Sequence, residues 1–294
     1  MKLTVKELAE LATVLAGRKG LSREVKYPQV VKPDLSAPFS WRGIASSAVH
    51  LKPGQMEFLR SLPSSERRAL AAALLKQRPA CIIVSGGETP RELLASAETA
   101  RIAVLGSRNL PQLARTLIER LTPRISMHGV LVEVFGIGAL IIGESAIGKS
   151  EAALDLVLRG HKLVADDIVI LEQGEGVVTG KATEMSADLL QIRGLGIINV
   201  RALYGETATT ASCAVDLVVE LEEWHEGHQY SLLGLREKRY RILGRNIPYL
   251  KLPIKPGRNM ATLIEVAARN QMLKNRGIYT ARELNRVLAK RLRT

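Results

Sequence analysis

The stretch GESAIGKSEAALDLVLRGHKLVADD, Gly143 to Asp167, decides how this 294-residue sequence is read. Its first eight residues fit the pattern G-x-x-x-x-G-K-[ST]. The apolar run ALIIG (139–143) predicts a buried strand before the loop, and KSEAALDLVLRG (149–160) predicts a helix after it, ending at Gly160. Strand, glycine loop and helix together make a phosphate cradle. Gly143 and Gly148 let the backbone turn, so that N–H groups along Gly143, Glu144, Ser145, Ala146, Ile147, Gly148, Lys149 and Ser150 point inward. The helix N-terminus adds partial positive charge. Lys149 supplies a mobile cation, and the Ser150 hydroxyl suits a magnesium ligand. A glycine-rich structural turn is the bland alternative; the strand and helix on either side favour the cradle.

Two carboxylates follow, Asp166 and Asp167, 17 and 18 residues after Lys149. HKLVADDIVILEQ (161–173) reads as one strand returning beside the loop. Adjacent side chains on a strand point to opposite faces, so one aspartate of the pair should face the phosphate. That one could hold magnesium or accept a hydroxyl proton as general base. Apolar neighbours on both sides argue against a solvated loop pair. The spacing is short for a P-loop NTPase and points to a compact phosphotransferase. His128, in SMHG, lies 21 residues before Lys149 at the start of a strand. Taken alone, a histidine at a strand start is more often structural than functional.

Hydrophobic residues make up 46% and aromatics 4%, so the cores must be built from Leu, Ile, Val and Ala. The formal charge of +13 favours anionic partners or reflects a generally basic surface. No aromatics are interleaved with the basic residues, so nucleic acid is not expected. Cys81 and Cys213 sit in apolar surroundings and read as buried free thiols; no Cys/His spacing suggests zinc. MKLTVKELAELATVLAG reads as an amphipathic helix and not a signal peptide. Glu133 and several glycines interrupt VLVEVFGIGALIIG, so no membrane span is expected, and a cytoplasmic protein follows.

The fold class is α/β. Residues 1–125 form a small N-terminal α/β domain. In it ACIIVS and RIAVLGS are strands, and TPRELLASAETA, capped through Thr89-Pro90, and LPQLARTLIERL are helices. TPRIS (122–126) marks the boundary. Residues 126–294 form a compact P-loop nucleotide-binding domain with a mixed sheet, because HGVLVEVFG can pair antiparallel through short turns. The C-terminal stretch 269–294 holds eight Lys/Arg and one Glu. It reads either as a solvated amphipathic helix with Leu284, Val287, Leu288 and Leu292 inward, or as a docking surface for an acidic partner or another subunit.

HGVLVEVFGIGALIIGESAIGKSEAALDLVLRGHKLVADD closely resembles the catalytic core of the HPr kinase/phosphorylase family. QIRGLGIINV (191–200) looks like that family's signature, and KLPIKPGRNMATLIEVAARN (251–270) its C-terminal motif. RPACIIVSGGETPRELLASAETARIAVLGS is similar in the first domain, so the resemblance spans nearly the whole chain. It implies a bacterial, cytoplasmic homohexamer. Such an enzyme uses ATP and Mg2+ to phosphorylate a serine of the carrier protein HPr, and reverses this by phosphorolysis, inorganic phosphate giving pyrophosphate. Residue by residue, it implies Gly143 to Ser150 on nucleotide, Lys149 on its phosphates and Ser150 on magnesium. Asp167 becomes the proton acceptor, and His128 a contact of the transferred phosphate. Pro253, Ile254, Lys255, Pro256, Gly257 and Arg258 become a phosphorolysis loop, with Asp166 and Arg193 in support. Two positions depart from the pattern. Gln191 stands where the family has a magnesium-ligating glutamate, and a neutral amide is the weaker ligand. Leu232 stands where it has an active-site arginine, with Arg236, Arg239 and Arg241 as nearby substitutes. These departures keep two further readings open: a kinase-only or divergent kinase with another target, and a nucleotide sensor without turnover.

Overall fold

The computed structural model describes residues 2–37, 41–174, 176–225, 237–255 and 257–291. The chain divides into two compact units, Met1–Thr122 and Pro123–Thr294.

In chain order the first unit holds β1 (Leu3–Thr4), α1 (Val5–Ala9), β2 (Thr13–Ala16), β3 (Glu24–Val25), β4 (Val30–Val31) and β5 (Ala48–Leu51). Then come α2 (Pro53–Ser61), α3 (Ser64–Lys76), β6 (Cys81–Val84), α4 (Arg91–Ala100), β7 (Ala103–Gly106) and α5 (Leu110–Leu121). A five-stranded sheet runs β2-β7-β6-β5-β4, parallel except for β2. Its central strands are apolar except for His50, because apolar side chains pack on both faces. The amphipathic pattern at the N-terminus yields a helix of only five residues. Thr13 to Ala16 pair with β7 instead, so edge pairing overrides a helical period. Pro90 takes the cap position of α4 with extended ψ 135°, leaving Thr89 one residue outside the cap. Both thiols are free; Cys81 is buried and Cys213 half-buried, and burial pushes each up to about 12.

The second unit begins with β8 (Arg124–His128), β9 (Val130–Val134), β10 (Ile137–Gly143), α6 (Lys149–Leu158), β11 (Lys162–Ala165) and β12 (Ile168–Gly174). It continues through β13 (Val177–Lys181), β14 (Leu189–Ile192), β15 (Gly196–Asn199), α7 (Val200–Tyr204) and β16 (Ser212–Ala214). Last come β17 (Leu217–Glu223), β18 (Lys238–Ile242), β19 (Arg245–Ile254), α8 (Met260–Asn275) and α9 (Thr280–Arg291). The six-stranded sheet runs β11-β9-β10-β17-β19-β18 and is mixed: β10, β17 and β19 are parallel, and the flanking strands antiparallel. On one face Ala153 and Leu156 of α6 and Ile264 and Ala268 of α8 pack against Val132, Ile141 and Val219. On the other, Leu131, Leu140 and Val218 meet Val169, Leu171 and Val178 of an antiparallel sheet, β16-β13-β12-β8. Each fully buried Val, Leu or Ile side chain here contributes roughly 1.5–3 kcal/mol, so these two apolar seams hold the layers together.

The chain passes between the two sheets at three places, β8 to β9, β11 to β12 and β16 to β17, and the first two are the corners beside the glycine loop's carboxylates. HKLVADDIVILEQ is therefore not one strand: β11 lies in the mixed sheet, β12 in the antiparallel one, and Asp166-Asp167 is the bend between them. HGVLVEVFG likewise divides at Gly129, with β8 and β9 in different sheets. A Cβ at Gly129 would stand 2.7 Å from the Ile141 carbonyl oxygen, so this corner has room only for glycine. At the C-terminus Leu284 is exposed, which corrects the inward placement expected of it; Val287, Leu288 and Leu292 lie outside the described side chains. Among the described residues no helix is long and apolar enough to cross a membrane.

Candidate functional site

The glycine loop leaves β10 at the carboxyl edge of the three parallel strands, the edge where open α/β sheets place their ligands. Gly143 is required twice over. Its φ is +147°, and a Cβ there would lie 2.5 Å from the Leu221 carbonyl oxygen. Lys149 opens α6 and is 6% exposed. Its Nζ donates to the carbonyl oxygens of Gly143 (3.0 Å) and Glu144 (2.7 Å). The loop thus closes around its own lysine, and those two carbonyls occupy donors that a phosphate would use. Burial lowers the Lys149 pKa, against the opposing charges of Asp166, Asp167 and Glu151.

Behind the lysine, Ser150 Oγ donates to Asp166 Oδ1 at 2.9 Å, and the Gln191 backbone N–H donates to Asp166 Oδ2 at 2.8 Å. Asp166 is therefore the buried member of the pair, 4% exposed. Burial raises its pKa. Hydrogen bonds from the Gln191 N–H, the Ser150 hydroxyl and the Asp167 N–H oppose that rise, and the Asp167 charge adds to it. The Ser150 hydroxyl and the desolvated Asp166 carboxylate are hard oxygen donors, a pair that fits magnesium with its remaining positions on water and phosphate. Among the described residues no group of three His, Cys, Asp or Glu side chains forms a metal site by itself.

A carboxyl whose folded pKa lies above its unfolded value costs stability as pH rises from the ordinary aspartate value, 3.8, through the folded one. Asp166→Asn removes that cost while keeping an acceptor for Gln191. Its thermal midpoint without ligand should match or exceed wild type at pH 7, and the difference should shrink as pH falls toward 3.8. A calorimetric pH series checks this. A lower midpoint at neutral pH would show that the hydrogen bonds outweigh the burial.

Asp167 sits at the apex of the corner with φ +66°, and the Ile168 N–H reaches back to the Asp166 carbonyl at 2.9 Å. A three-residue turn of this hand is rare and costs on the order of 1–3 kcal/mol. It is held from the other corner, where the Gly129 N–H donates to the Asp167 carbonyl at 3.0 Å and His128 pairs in register with Ile168. The same stacking sets His128 Nδ1 2.9 Å from Asp167 Oδ1, with both side chains more than half exposed. The two aspartates do face different ways, but through a bend and not through strand alternation.

The ends of β17 and β19 complete this edge. Leu221 is level with Gly143, and Glu222 and Glu223 with Pro253 and Ile254. Beyond them Lys255 Nζ stands 5.2 Å from the centre of the Trp224 ring. The Arg258 N–H donates to the Lys255 carbonyl (3.0 Å) and its guanidinium to the Pro253 carbonyl (3.3 Å), curling the segment back on itself. Arg193 is exposed in the turn between β14 and β15. Pro256, Leu232 and Arg236 lie outside the described residues. Arg239 is paired with Glu237 at 3.1 Å, and Arg241 lies on the edge strand β18. Two contributors escaped the sequence reading. Gly129 was signalled by the His-Gly dipeptide, and Trp224 carried no local signal for its contact with Lys255.

The comparisons with known proteins bear on the whole chain. Residues 3–122 match the family described as HPr Serine kinase N terminus, and residues 119–288 the HPr Serine kinase C-terminal domain. A protein named HPr kinase/phosphorylase from an Exiguobacterium strain is 39% identical over 284 residues, covering 94% of this chain and 91% of its own. Proteins of the same name from Geobacter sulfurreducens and Bacillus subtilis are 38% and 37% identical, covering 95% and 94% of this chain and 90% and 92% of theirs. A solved structure, the HPr(Ser) kinase/phosphatase from Coxiella burnetii, is 36% identical with a TM-score of 0.49 and covers 52% of this chain and 93% of that one. With both domains matched and the likeness running through nine-tenths of the relatives' length, the chain belongs to the HPr kinase/phosphorylase family.

Proposed function

We propose that this chain is a protein-serine kinase/phosphorylase that transfers a phosphoryl group from Mg-ATP to a serine of HPr, and removes it by phosphorolysis. The observation that carries the reading is an exposed, His-oriented carboxylate, Asp167, next in sequence to the buried Asp166 that bonds the cradle's Ser150. In the forward direction the nucleotide phosphates take over the Lys149 ammonium from its two loop carbonyls. Ser150 and the Gln191 amide would hold magnesium, with Asp166 behind them, and the bound ion would offset the phosphate charge. Asp167 accepts the proton of the substrate hydroxyl as its oxygen bonds to the γ-phosphorus and the bond from that phosphorus to the ADP oxygen breaks, releasing ADP, and His128 keeps that carboxylate aimed. In reverse, an oxygen of inorganic phosphate attacks the phosphoserine phosphorus. The serine oxygen leaves with the proton from Asp167, and pyrophosphate is the second product. Lys255 and Arg258 supply charge for the incoming phosphate.

Assembly into a homohexamer and a cytoplasmic location belong to the same reading. Exposed Leu195 and Ile197 on the β14–β15 hairpin, with Leu203 and Tyr204 on α7, give it apolar surface to cover.

The test is incubation of the purified protein with Mg-ATP and HPr, followed by intact-mass measurement and, after excess phosphate is added, a pyrophosphate assay. One phosphate gained and then released as pyrophosphate is the expected result. Phosphate gained and kept would leave a kinase only; ATP bound with no transfer would leave a sensor. Gln191 sharpens the same experiment. Its backbone N–H is 2.8 Å from Asp166, so a carboxylate at this position adds charge beside the magnesium ligands. Gln191→Glu should lower the magnesium concentration for half-maximal phosphorylation several-fold, in line with the stronger binding of a hard cation by carboxylate than by amide. An unchanged magnesium requirement would remove residue 191 from the metal site.

A further inference from the structure

Trp224 follows β17 directly and is 40% exposed. Lys255 follows β19. The two strands are parallel neighbours with Glu223 level with Ile254, so the residues after each leave the sheet at the same edge. That edge is the cradle's, since Leu221 is level with Gly143. The Lys255 ammonium lies over the indole face at 5.2 Å. Two acids of β17 are already engaged: Lys251 takes Glu222 at 2.9 Å and Glu220 at 3.6 Å. Among the described residues Lys255 forms no ion pair.

The kind of partner matters. A carboxylate would order the lysine, but it would also cancel its charge and repel an approaching anion. An aromatic face attracts the ammonium through the ring quadrupole and leaves the full positive charge for a ligand. It also restrains a side chain that otherwise has many rotamers to lose on binding.

We propose that Trp224 is a positioning residue for inorganic phosphate and pyrophosphate: its ring holds the Lys255 ammonium, uncancelled, at the rim of the cradle. This rests on the function proposed above, in which Lys255 meets the incoming phosphate. Trp224 acts through the lysine and takes no part in proton transfer.

The test uses the full-length protein and four variants: Trp224→Leu, which keeps apolar bulk without a ring; Trp224→Phe, which keeps a ring; Lys255→Met; and the Trp224→Leu, Lys255→Met double variant. Calorimetry gives the affinity for inorganic pyrophosphate, and steady-state kinetics give KM for phosphate in phosphorolysis and KM for ATP in the forward reaction. Trp224→Leu should weaken pyrophosphate binding and raise KM for phosphate about 2- to 5-fold, the size of an exposed cation–π contact. The maximal rate and KM for ATP should be unchanged. Trp224→Phe should lie nearer to wild type, and Trp224→Leu should add nothing once Lys255 is gone. Equal values for the Leu and Phe variants, or a full effect in the Lys255→Met background, overturns the proposal. Coupling seen in pyrophosphate affinity without any phosphorolysis by wild type would sustain the positioning role and overturn the reverse reaction instead.

Discussion

Asp167→Asn should slow phosphorylation of the serine substrate by about 10²–10⁴-fold, the usual worth of a positioned general base, while ATP affinity stays within a few-fold of wild type. The separation follows from where the side chain sits. Among the described residues no hydrogen bond or ion pair ties the Asp167 side chain to the loop; its Oδ1 faces His128 at 2.9 Å, and it is Asp166 that bonds Ser150. Asparagine keeps the size, the apex position with φ +66° and an oxygen near His128, so the fold of the corner should persist. Asparagine also tolerates positive φ better than most residues. What it lacks is a place for the proton. Single-turnover phosphorylation alongside ATP titration checks the prediction. A parallel loss of both would mean that Asp167 binds nucleotide or metal and is not the base.

Lys149→Met should reduce turnover by about 10²–10³-fold, as removal of one preorganised charge contact to a reacting group does, and weaken ATP binding as well. The side chain is 6% exposed and its burial lowers its pKa. A lysine whose folded pKa lies below its unfolded value, 10.5, weakens the fold while charged. That penalty is present at neutral pH and fades as pH rises through the folded pKa toward the unfolded one. Methionine fills similar space without the charge, and the two loop carbonyls turn to water. The variant should therefore keep its thermal midpoint without ligand and lose most of the increase that ATP gives wild type. Thermal unfolding with and without ATP reads both effects. A midpoint several degrees below wild type would instead assign the two carbonyl bonds a structural share that outweighs the buried charge.

The cradle was legible in the sequence because its chemistry is local. Two glycines, a lysine and a hydroxyl sit within eight residues, and the flanking periods change from strand to helix at the right points. The mixed sheet was legible through the alternation after His128. The second sheet was not. LVADDIVIL has the composition of one buried strand, and nothing within those nine residues says that β11 and β12 join different sheets. That depends on β8, some forty residues earlier, pairing with β12. For the same reason the nearness of His128 to Asp167 could be taken only from family likeness, since their contact is a matter of register between distant strands. The N-terminal helix was overestimated because Thr13 to Ala16 fit a helical period equally well until β7 offers them an edge.

The corners at Gly129 and Asp166-Asp167, where the chain changes sheet, have a consequence for how catalysis is tuned. The cradle is anchored to the helix-covered side of the mixed sheet, through Lys149 and Ser150 on α6. The pair proposed to handle the proton hangs from the antiparallel sheet, through His128 on β8 and the bend into β12. The gap between base and phosphate is therefore a dimension of the core, set by Leu131, Leu140, Val169 and Leu171 where the sheets meet. A methyl group gained or lost in that seam moves an acid–base group relative to its substrate without touching any residue that binds one. Selection can adjust the rate from inside the protein, through packing volume, while every polar side chain of the site keeps its identity.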